Sequence, residues 1–306
     1  MKKFFMAILI VIAIFIFGCA SNHYERTENL MGTVVTLKAE GYESKAAIDE
    51  SFDKIFELVE NVRRDIKNLN DSAGNNKFIK ITPEVFEMLE LAKKYSELTN
   101  GAFDVTVGAS IDLWRTARKN KILPSDEEII IAKNLSGYQH LHLNKSDNSA
   151  MIDTAGIKIN LGGIGKGYGA DIARKIFIQH KITDGLIDFG TSTIFAFGKK
   201  KIGLKNPRAD NDILEIIELE NSALSTSGDY EQFFILNGRR YHHIINPKTG
   251  MPVENNIVAV SVIVENNIEN CLTVADILST SIFVLGKENC SEILPDNSTV
   301  KIIYSK

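Results

Sequence analysis

From Glu43 onward the apolar residues Ile48, Phe52, Ile55, Val59, Val62, Ile66 and Leu69 recur at alternating steps of four and three. Side chains at that spacing share one helix face, so the pattern predicts a long amphipathic helix whose stripe packs on a core. A second helix is predicted to open at Thr82 as N-cap, with Pro83 at its first position, where a missing N–H is tolerated. Asn100-Gly101 stops it. A third is predicted from Ser125, with Glu128 completing a capping box, to about Ser136-Gly137.

Strand patterns alternate with these helices. Gly32 to Ala39 alternates apolar and polar side chains, and Ile157 to Leu161 is predicted as a strand leading through a glycine-rich turn into a helix from about Gly167 to Gln179. Gly185 to Phe189, Thr193 to Phe197 and Lys201 to Leu204 read as successive strands. Phe233 to Leu236 and Arg240 to Ile245 flank Asn237-Gly238, the pair favoured by a type I′ hairpin turn. Ile257 to Val264 is a further strand, Leu272 to Leu285 an apolar helix, and Val300 to Tyr304 a closing strand. The mixture predicts an α/β (α+β) fold with much antiparallel sheet and two lobes sharing one cleft.

The first residues follow another pattern. Lys2 and Lys3 precede an apolar run from Phe4 to Phe17, as in a secretory signal peptide, and the run is short for a membrane span. It ends in Ile16-Phe17-Gly18-Cys19 followed by Ala20-Ser21-Asn22, which resembles a bacterial lipobox. An uncleaved anchor with an incidental cysteine is the other reading. The expected organisation is a signal peptide over 1–18, a tether over 19–29 after lipidated Cys19, and one catalytic domain over 30–306. Acyl chains such as palmitate would hold the protein at the extracytoplasmic face of the cell membrane, each buried CH₂ contributing roughly 0.8 kcal/mol.

Composition narrows the classes. The 306 residues are 44% hydrophobic and 24% charged, with a formal net charge of −4, an ordinary balance for a globular enzyme. A nucleic-acid surface would need a basic excess, so no nucleic-acid partner is expected. The three cysteines, Cys19, Cys271 and Cys290, are too few for a disulfide scaffold and lack zinc-ligand spacing.

Four segments carry candidate chemistry. Asn100-Gly101-Ala102-Phe103-Asp104 is a helix-stopping turn, and Asp104 just beyond it is placed to accept hydrogen bonds from a ligand. Asn160-Leu161-Gly162-Gly163-Ile164-Gly165-Lys166-Gly167 is either a tight turn or an anion cradle, combining glycines, a helix N-terminus and a lysine. It lacks the Ser or Thr after the lysine that a Walker A loop requires. Ser225-Thr226-Ser227-Gly228-Asp229-Tyr230 precedes a hairpin ending in His242-His243-Ile244. Adjacent histidines on a strand face opposite ways, so at most one serves a given site. Asp276 and Thr280 sit at i, i+4 on an apolar helix, so both oxygens share one face. The carboxylate there either interacts with the helix dipole or binds a cation, and oxygen ligands of this kind suit magnesium.

Taken in order, GAFDVTVG, GGIGKGYGAD, TSGDY, HHIINPKTGMP and ADILST resemble the ApbE family of FAD:protein FMN transferases, from Met31-Gly32-Thr33 to about the C-terminus. The resemblance implies a T-fold-like core with FAD in the cleft between lobes. It implies Mg²⁺ ligands at the Gly163 carbonyl, Asp276 and Thr280. FAD contacts are implied at Met31, Ala102, Phe103, Asp104, Asn160, Lys166 and the His243–Ile244 segment, with His243 as general base and Lys166 as the phosphate-neutralising cation. The implied reaction joins the FMN half of FAD, through a phosphoester, to a Thr or Ser hydroxyl of an acceptor protein and releases AMP. Implied partners are acceptor flavoproteins such as subunits of extracytoplasmic-facing electron-transfer complexes, together with the membrane through the lipid anchor. Water as acceptor would make the chain an FAD pyrophosphatase, and no acceptor at all would make it an FAD-binding lipoprotein.

The chain departs from the family pattern at five places. Asn160 stands where Asp is frequent, Gly163 where Ala is frequent, and Ser279 where a further aspartate can occur. Arg63-Arg64-Asp65-Ile66-Lys67-Asn68 runs directly into Leu69-Asn70, without the usual Ser- and Tyr-containing segment, and Gly190-Thr191-Ser192 replaces a Gly-Gly pair. Looser isoalloxazine and adenine pockets are therefore expected.

Overall fold

The computed structural model describes residues 23–190, 192–209, 212–287 and 292–304. The expected signal peptide, Cys19 and the start of the tether lie outside the described residues, as does Cys290. Cys271 is a buried free thiol. Along the chain run β1 (His23–Leu30), β2 (Thr33–Glu40), α1 (Ser44–Asp71), β3 (Ile79–Lys80), α2 (Pro83–Leu98), α3 (Gly108–Asn120), α4 (Asp126–Asn134), β4 (Leu141–Asn144) and β5 (Ser149–Ile152). There follow α5 (Gly165–Gln179), β6 (Gly185–Phe189), β7 (Thr193–Lys205), β8 (Ile213–Gly228), β9 (Phe233–Leu236), β10 (Arg239–His242), β11 (Ile245–Asn246), β12 (Met251–Pro252), β13 (Ile257–Glu265), α6 (Cys271–Leu285) and β14 (Thr299–Tyr304).

Seven strands form one antiparallel sheet in the order β1-β2-β6-β7-β8-β13-β14. The stripe of α1 packs on it through Ile48, Phe52, Ile55 and Leu69, beside α5 and α6. The α6 helix is apolar on all sides and buried on nearly all of them, as such a helix must be. The α2 helix and the small β3-β5-β4 sheet pack into the main core with α1, while a second, smaller group gathers α3 and α4 with the β9-β10 and β11-β12 hairpins. Its own core is Trp114, Ala117, Ile129, Phe234, Tyr241 and Ile245. Among the described residues no helix is long and apolar enough to cross a membrane.

Three expectations need correction. Residues 23–29, expected to belong to a tether, are part of the fold, because His23–Leu30 pairs along its whole length with β2. Its alternation of Glu and Arg with half-buried residues is that of an edge strand, whose outer face meets water. Ile157 to Leu161 is not a strand. Its backbone is satisfied by a side chain and a loop: Asn70 bonds the Ile159 N–H and carbonyl, and the Asn160 N–H donates to the Val105 carbonyl. Thr193 to Phe197 and Lys201 to Leu204 are one strand, β7, with a register break between Ala196 and Lys199. Gly198 there has φ of +69°, and beyond it Ile202 and Leu204 pack with Ile194 and Ala196 in a separate cluster.

Candidate active site

Between the two groups lies a cavity of about 630 Å³, within the range of small-molecule sites. Every site residue anticipated from the sequence lines it: Met31, Ala102, Phe103, Asp104, Asn160, Gly163, Lys166, His243, Ile244, Asp276 and Thr280. They come from five separate segments of the chain, and the fold is what gathers them.

Met31 occupies the β1–β2 turn with φ of 52°, followed by Gly32 at 73°, so two successive left-handed residues turn the hairpin into the cleft. Asn100 and Gly101 end α2 in the same left-handed region and deliver Ala102 and Phe103 to the cleft wall. Asp104 follows, but its carboxylate is largely used by the protein. Oδ1 accepts the Thr106 N–H and hydroxyl at 2.8 and 2.7 Å, and Oδ2 accepts the Tyr138 N–H at 2.9 Å. Burial raises its pKa, and these hydrogen bonds oppose that rise.

The glycine turn begins α5 at Gly165, two residues earlier than expected, which puts Lys166 in the first helical turn. Asn160 braces the turn, its Oδ1 accepting the Gly162 N–H at 2.9 Å. The backbone cradle is partly spent, because the Gly165 N–H donates to the Leu161 carbonyl and the Gly167 N–H to Asp276 Oδ2. Lys166 makes no ion pair among the described residues, so its cationic head is the feature most open to an anion.

Asp276 is 4% exposed on α6. Its Oδ2 holds the Gly167 N–H at 3.0 Å, and its Oδ1 receives a long hydrogen bond of 3.3 Å from the Ser225 hydroxyl. Among the described residues no Lys, Arg or His pairs with it. A buried carboxylate whose donors among the described residues are all neutral is suited to receive a cation. Thr280, one turn further, shares a hydrogen bond of 3.1 Å with Ser227, which also meets Ser279 at 2.8 Å. Gly163 lies against both Thr280 and Phe103: a Cβ built on it would fall 3.7 Å from Thr280 Oγ1 and 3.1 Å from the Phe103 ring. The Asp276 carboxylate, the Thr280 hydroxyl and the Gly163 backbone thus line one part of the cleft. This all-oxygen set fits Mg²⁺, which is typically held by one or two carboxylates with substrate phosphates and waters completing its shell. No group of three or more His, Cys, Asp or Glu that could hold a metal exists among the described residues. A cage of charged ligands is thereby excluded there, a one-carboxylate site is not.

The two histidines part company where β10 ends. His242 turns into the core, where Nε2 donates to the Val253 carbonyl at 3.0 Å, Nδ1 accepts the Ile244 N–H at 3.2 Å, and the ring meets Phe283 edge-on. Both nitrogens are spent, which fixes a neutral tautomer, and burial lowers its pKa. His243 lies in the bend after the strand, open to water at the cleft yet enclosed by its walls. That enclosure, followed by the nearness of His242 and Lys166, lowers its pKa to about 4. The ring is therefore neutral at physiological pH.

One wall was not anticipated. The α3 helix contributes Ile111, Trp114, Arg115 and Arg118. Trp114 stacks on Tyr241 with centroids 5.5 Å apart, and Tyr241 on Phe234 at 5.2 Å. Arg118 donates to Gln232 Oε1 at 3.1 Å. A further wall is aliphatic and cationic: Leu58, Val59, Val62 and Arg63 of α1, with Met88 of α2. The α1 helix runs unbroken from Ser44 to Asp71 past this wall. Trp114 as the chain's one tryptophan was the signal available for the α3 wall.

Comparison with known proteins bears on this geometry. The sequence model of the ApbE family matches residues 31–304. A FAD:protein FMN transferase of Klebsiella pneumoniae is 27% identical over 291 residues, covering 92% of this chain and 88% of that protein. One from Treponema pallidum is 26% identical over 310 residues, covering 92% and 84%. Among solved structures, the ApbE protein of Thermotoga maritima superposes with a TM-score of 0.79 at 30% identity, covering 92% of this chain and 94% of that one. The flavin transferase ApbE of Vibrio cholerae gives 0.78 at 27% identity, covering 94% of each. Fold, cleft and relatives together define a transferase of mixed helix and sheet. The chain belongs to the ApbE family.

Proposed function

We propose that this chain is a Mg²⁺-dependent FAD:protein FMN transferase, which joins FMN from FAD to a Thr or Ser hydroxyl of an acceptor protein and releases AMP. The observation that carries this reading is the presence in one cavity of a buried carboxylate, Asp276, and a lysine, Lys166, neither of which makes an ion pair among the described residues. A pyrophosphate with its counter-cation needs that pair of opposite charges. Gly163, Asp276 and Thr280 would hold Mg²⁺, which when bound supplies neutralisation of phosphoryl oxygens. Lys166 binds the pyrophosphate and offsets the charge that develops on it. Met31, Ala102, Phe103, Asn160 and Ile244 shape the walls that hold the flavin and nucleotide. Asp104, with its carboxylate largely engaged, contributes chiefly by fixing the Gly101–Thr106 turn. His243, neutral at working pH, takes the proton of the acceptor hydroxyl as its oxygen attacks the FMN phosphorus and the bond to AMP breaks.

Incubation with FAD and Mg²⁺, with and without an acceptor protein, tests the reaction class. AMP release that depends on the acceptor is expected, whereas rapid multiple-turnover release without it would make the chain a pyrophosphatase. Lys166→Ala tests the phosphate contact. A hydrogen bond to a charged group contributes about 1.5–3 kcal/mol, so FAD should bind roughly 10–100-fold more weakly, with little change in melting temperature because the lysine makes no ion pair among the described residues.

The lipobox-like run ending at Cys19 supports attachment to the extracytoplasmic face of the cell membrane, where acceptors such as electron-transfer subunits would be met. Cys19→Ala should shift the protein from the membrane fraction to the soluble fraction or leave it unprocessed. A variant that fractionates and migrates as wild type does would remove the anchor from the account.

A further inference from the structure

The helices α5 and α6 meet at the cleft, and each caps the other. Asp276 on α6 accepts the N–H of Gly167, in the first turn of α5, at 3.0 Å. In return Asp171 on α5 accepts from the first turn of α6: the Leu272 N–H at 3.3 Å, the Thr273 N–H at 2.7 Å and the Thr273 hydroxyl at 2.7 Å. Asp171 is 1% exposed. The two backbones touch, since a Cβ on Gly167 would fall 2.6 Å from the Leu272 carbonyl oxygen and 2.7 Å from Thr273 Cα.

First-turn N–H groups have no partner within their own helix, and a carboxylate there also meets the positive end of the helix dipole. Each contact is therefore favourable in isolation, but their placement links them to the site. Gly167 follows Lys166 directly, so the hydrogen bond to Asp276 ties the candidate metal-facing carboxylate to the turn that carries the phosphate-facing lysine. Asp171 grips α6 at Leu272 and Thr273, one turn before Asp276. A helix is stiff over one turn, so that grip decides where the Asp276 carboxylate stands relative to Gly167.

We propose that Asp171 is a positioning residue: by pinning the first turn of α6 to α5, it holds Asp276 in the one register that serves both Gly167 and a bound cation. Occupation of the cation position and of the Lys166 position are then coupled through one rigid clasp. Such coupling is reciprocal, so Mg²⁺ tightens FAD binding and FAD tightens Mg²⁺ binding by the same factor. The proposal rests on the FMN-transfer reading and deepens it.

The test measures FAD binding to the whole protein by flavin fluorescence, with Mg²⁺ and with EDTA, and records thermal melting in parallel. Wild type is compared with Asp171→Asn and with Thr273→Val, which removes one of the three donors with little change of shape. In wild type Mg²⁺ tightens FAD. In Asp171→Asn that gain shrinks, the apparent Mg²⁺ affinity falling roughly 10–100-fold as for other residues that orient a ligand. FAD affinity in EDTA stays at the wild-type value, and Thr273→Val shows the same change to a smaller degree. A lowered melting temperature with the full Mg²⁺ gain intact would mean a simple strut and overturn the proposal. If Asp171→Asn does not fold, Thr273→Val decides by the same readout. A wild type whose FAD affinity ignores Mg²⁺ contradicts the metal reading itself and removes this proposal with it.

Discussion

Asp276→Ala is expected to abolish FMN transfer, and Asp276→Asn to come close to doing so while leaving the protein folded. The carboxylate is the one charged group in the candidate cation corner, and nothing else among the described residues there replaces it. A metal acting on a phosphoryl group contributes several kcal/mol to transition-state stabilisation. At about 1.4 kcal/mol per decade, its loss costs roughly 10³-fold or more in rate. The two variants separate catalysis from folding. Alanine leaves the buried Gly167 N–H and Ser225 hydroxyl without their acceptor, which costs about 1–3 kcal/mol for a buried donor. Asparagine keeps an acceptor oxygen for Gly167 and removes the buried charge. Asp276→Asn should therefore melt near wild type in EDTA, and Mg²⁺ should no longer raise its melting temperature in the presence of FAD. Wild-type transfer by either variant at sub-millimolar Mg²⁺ would show that the metal ligand lies elsewhere.

The second large effect is at His243. His243→Ala should lose about 10²–10⁴-fold in transfer rate, the usual contribution of a general base, while FAD still binds. Its pKa of about 4 sets a further expectation for pH. A base works in its neutral form, so the acid limb of kcat/KM should fall near pH 4 and not near the ordinary imidazole value of about 6.5. His242→Ala should act on stability, because that ring bonds the Val253 carbonyl and the Ile244 N–H inside the core. The sign of the linkage is the same for both rings. Each has a folded-state pKa below its unfolded value, so stability is full above about pH 6.5 and declines as the pH drops and the unfolded chain takes up protons that the folded chain refuses. The measurements are a rate, an FAD dissociation constant and a melting temperature for each variant. Catalysis lost in His242→Ala and kept in His243→Ala would reverse the two roles. Loss of FAD binding in His243→Ala would make that residue a binding group and place the base elsewhere.

The parts of the fold that the sequence reveals are those whose cause is local. The α1 stripe, the Thr82-Pro83 start of α2 and the Ser125–Glu128 capping box are written in residues within a few positions of one another, and each forms as expected. The Asn237-Gly238 hairpin is equally local, with φ of 52° and 77°. What escapes is decided at a distance. The α3 helix opens at Gly108 without a side-chain cap, so nothing nearby marks its start. The end of β8, Ser225-Thr226-Ser227, has the small polar residues of a loop. It is a strand because its backbone pairs with β13, and at Ser225 with β7, while its alternate hydroxyls bond Asp276, Ser279 and Thr280 of α6. Ile157 to Leu161 has strand-like alternation, but its neighbours are Asn70 and the Val105 loop.

The candidate site divides along the same line. Asp276 and Thr280 are four residues apart on a helix, so their shared face is a property of the sequence. That Gly163 and Lys166 stand opposite them depends on the α5–α6 crossing at Gly167, more than a hundred residues away in the chain. Asp104 shows the converse. Its motif position points to a ligand, yet its carboxylate is held by Thr106 and by Tyr138, 34 residues on, a partner that no local pattern discloses.

The most direct measurement is mass spectrometry of an acceptor. The chain is co-expressed with, or incubated against, a candidate extracytoplasmic flavoprotein in the presence of FAD and Mg²⁺. The acceptor peptides are then searched for an added FMN on Thr or Ser. Modification of one hydroxyl, accompanied by equimolar AMP and absent with Asp276→Asn, is the predicted result. FMN and AMP accumulating beside unmodified acceptors, or FAD retained intact, would contradict it.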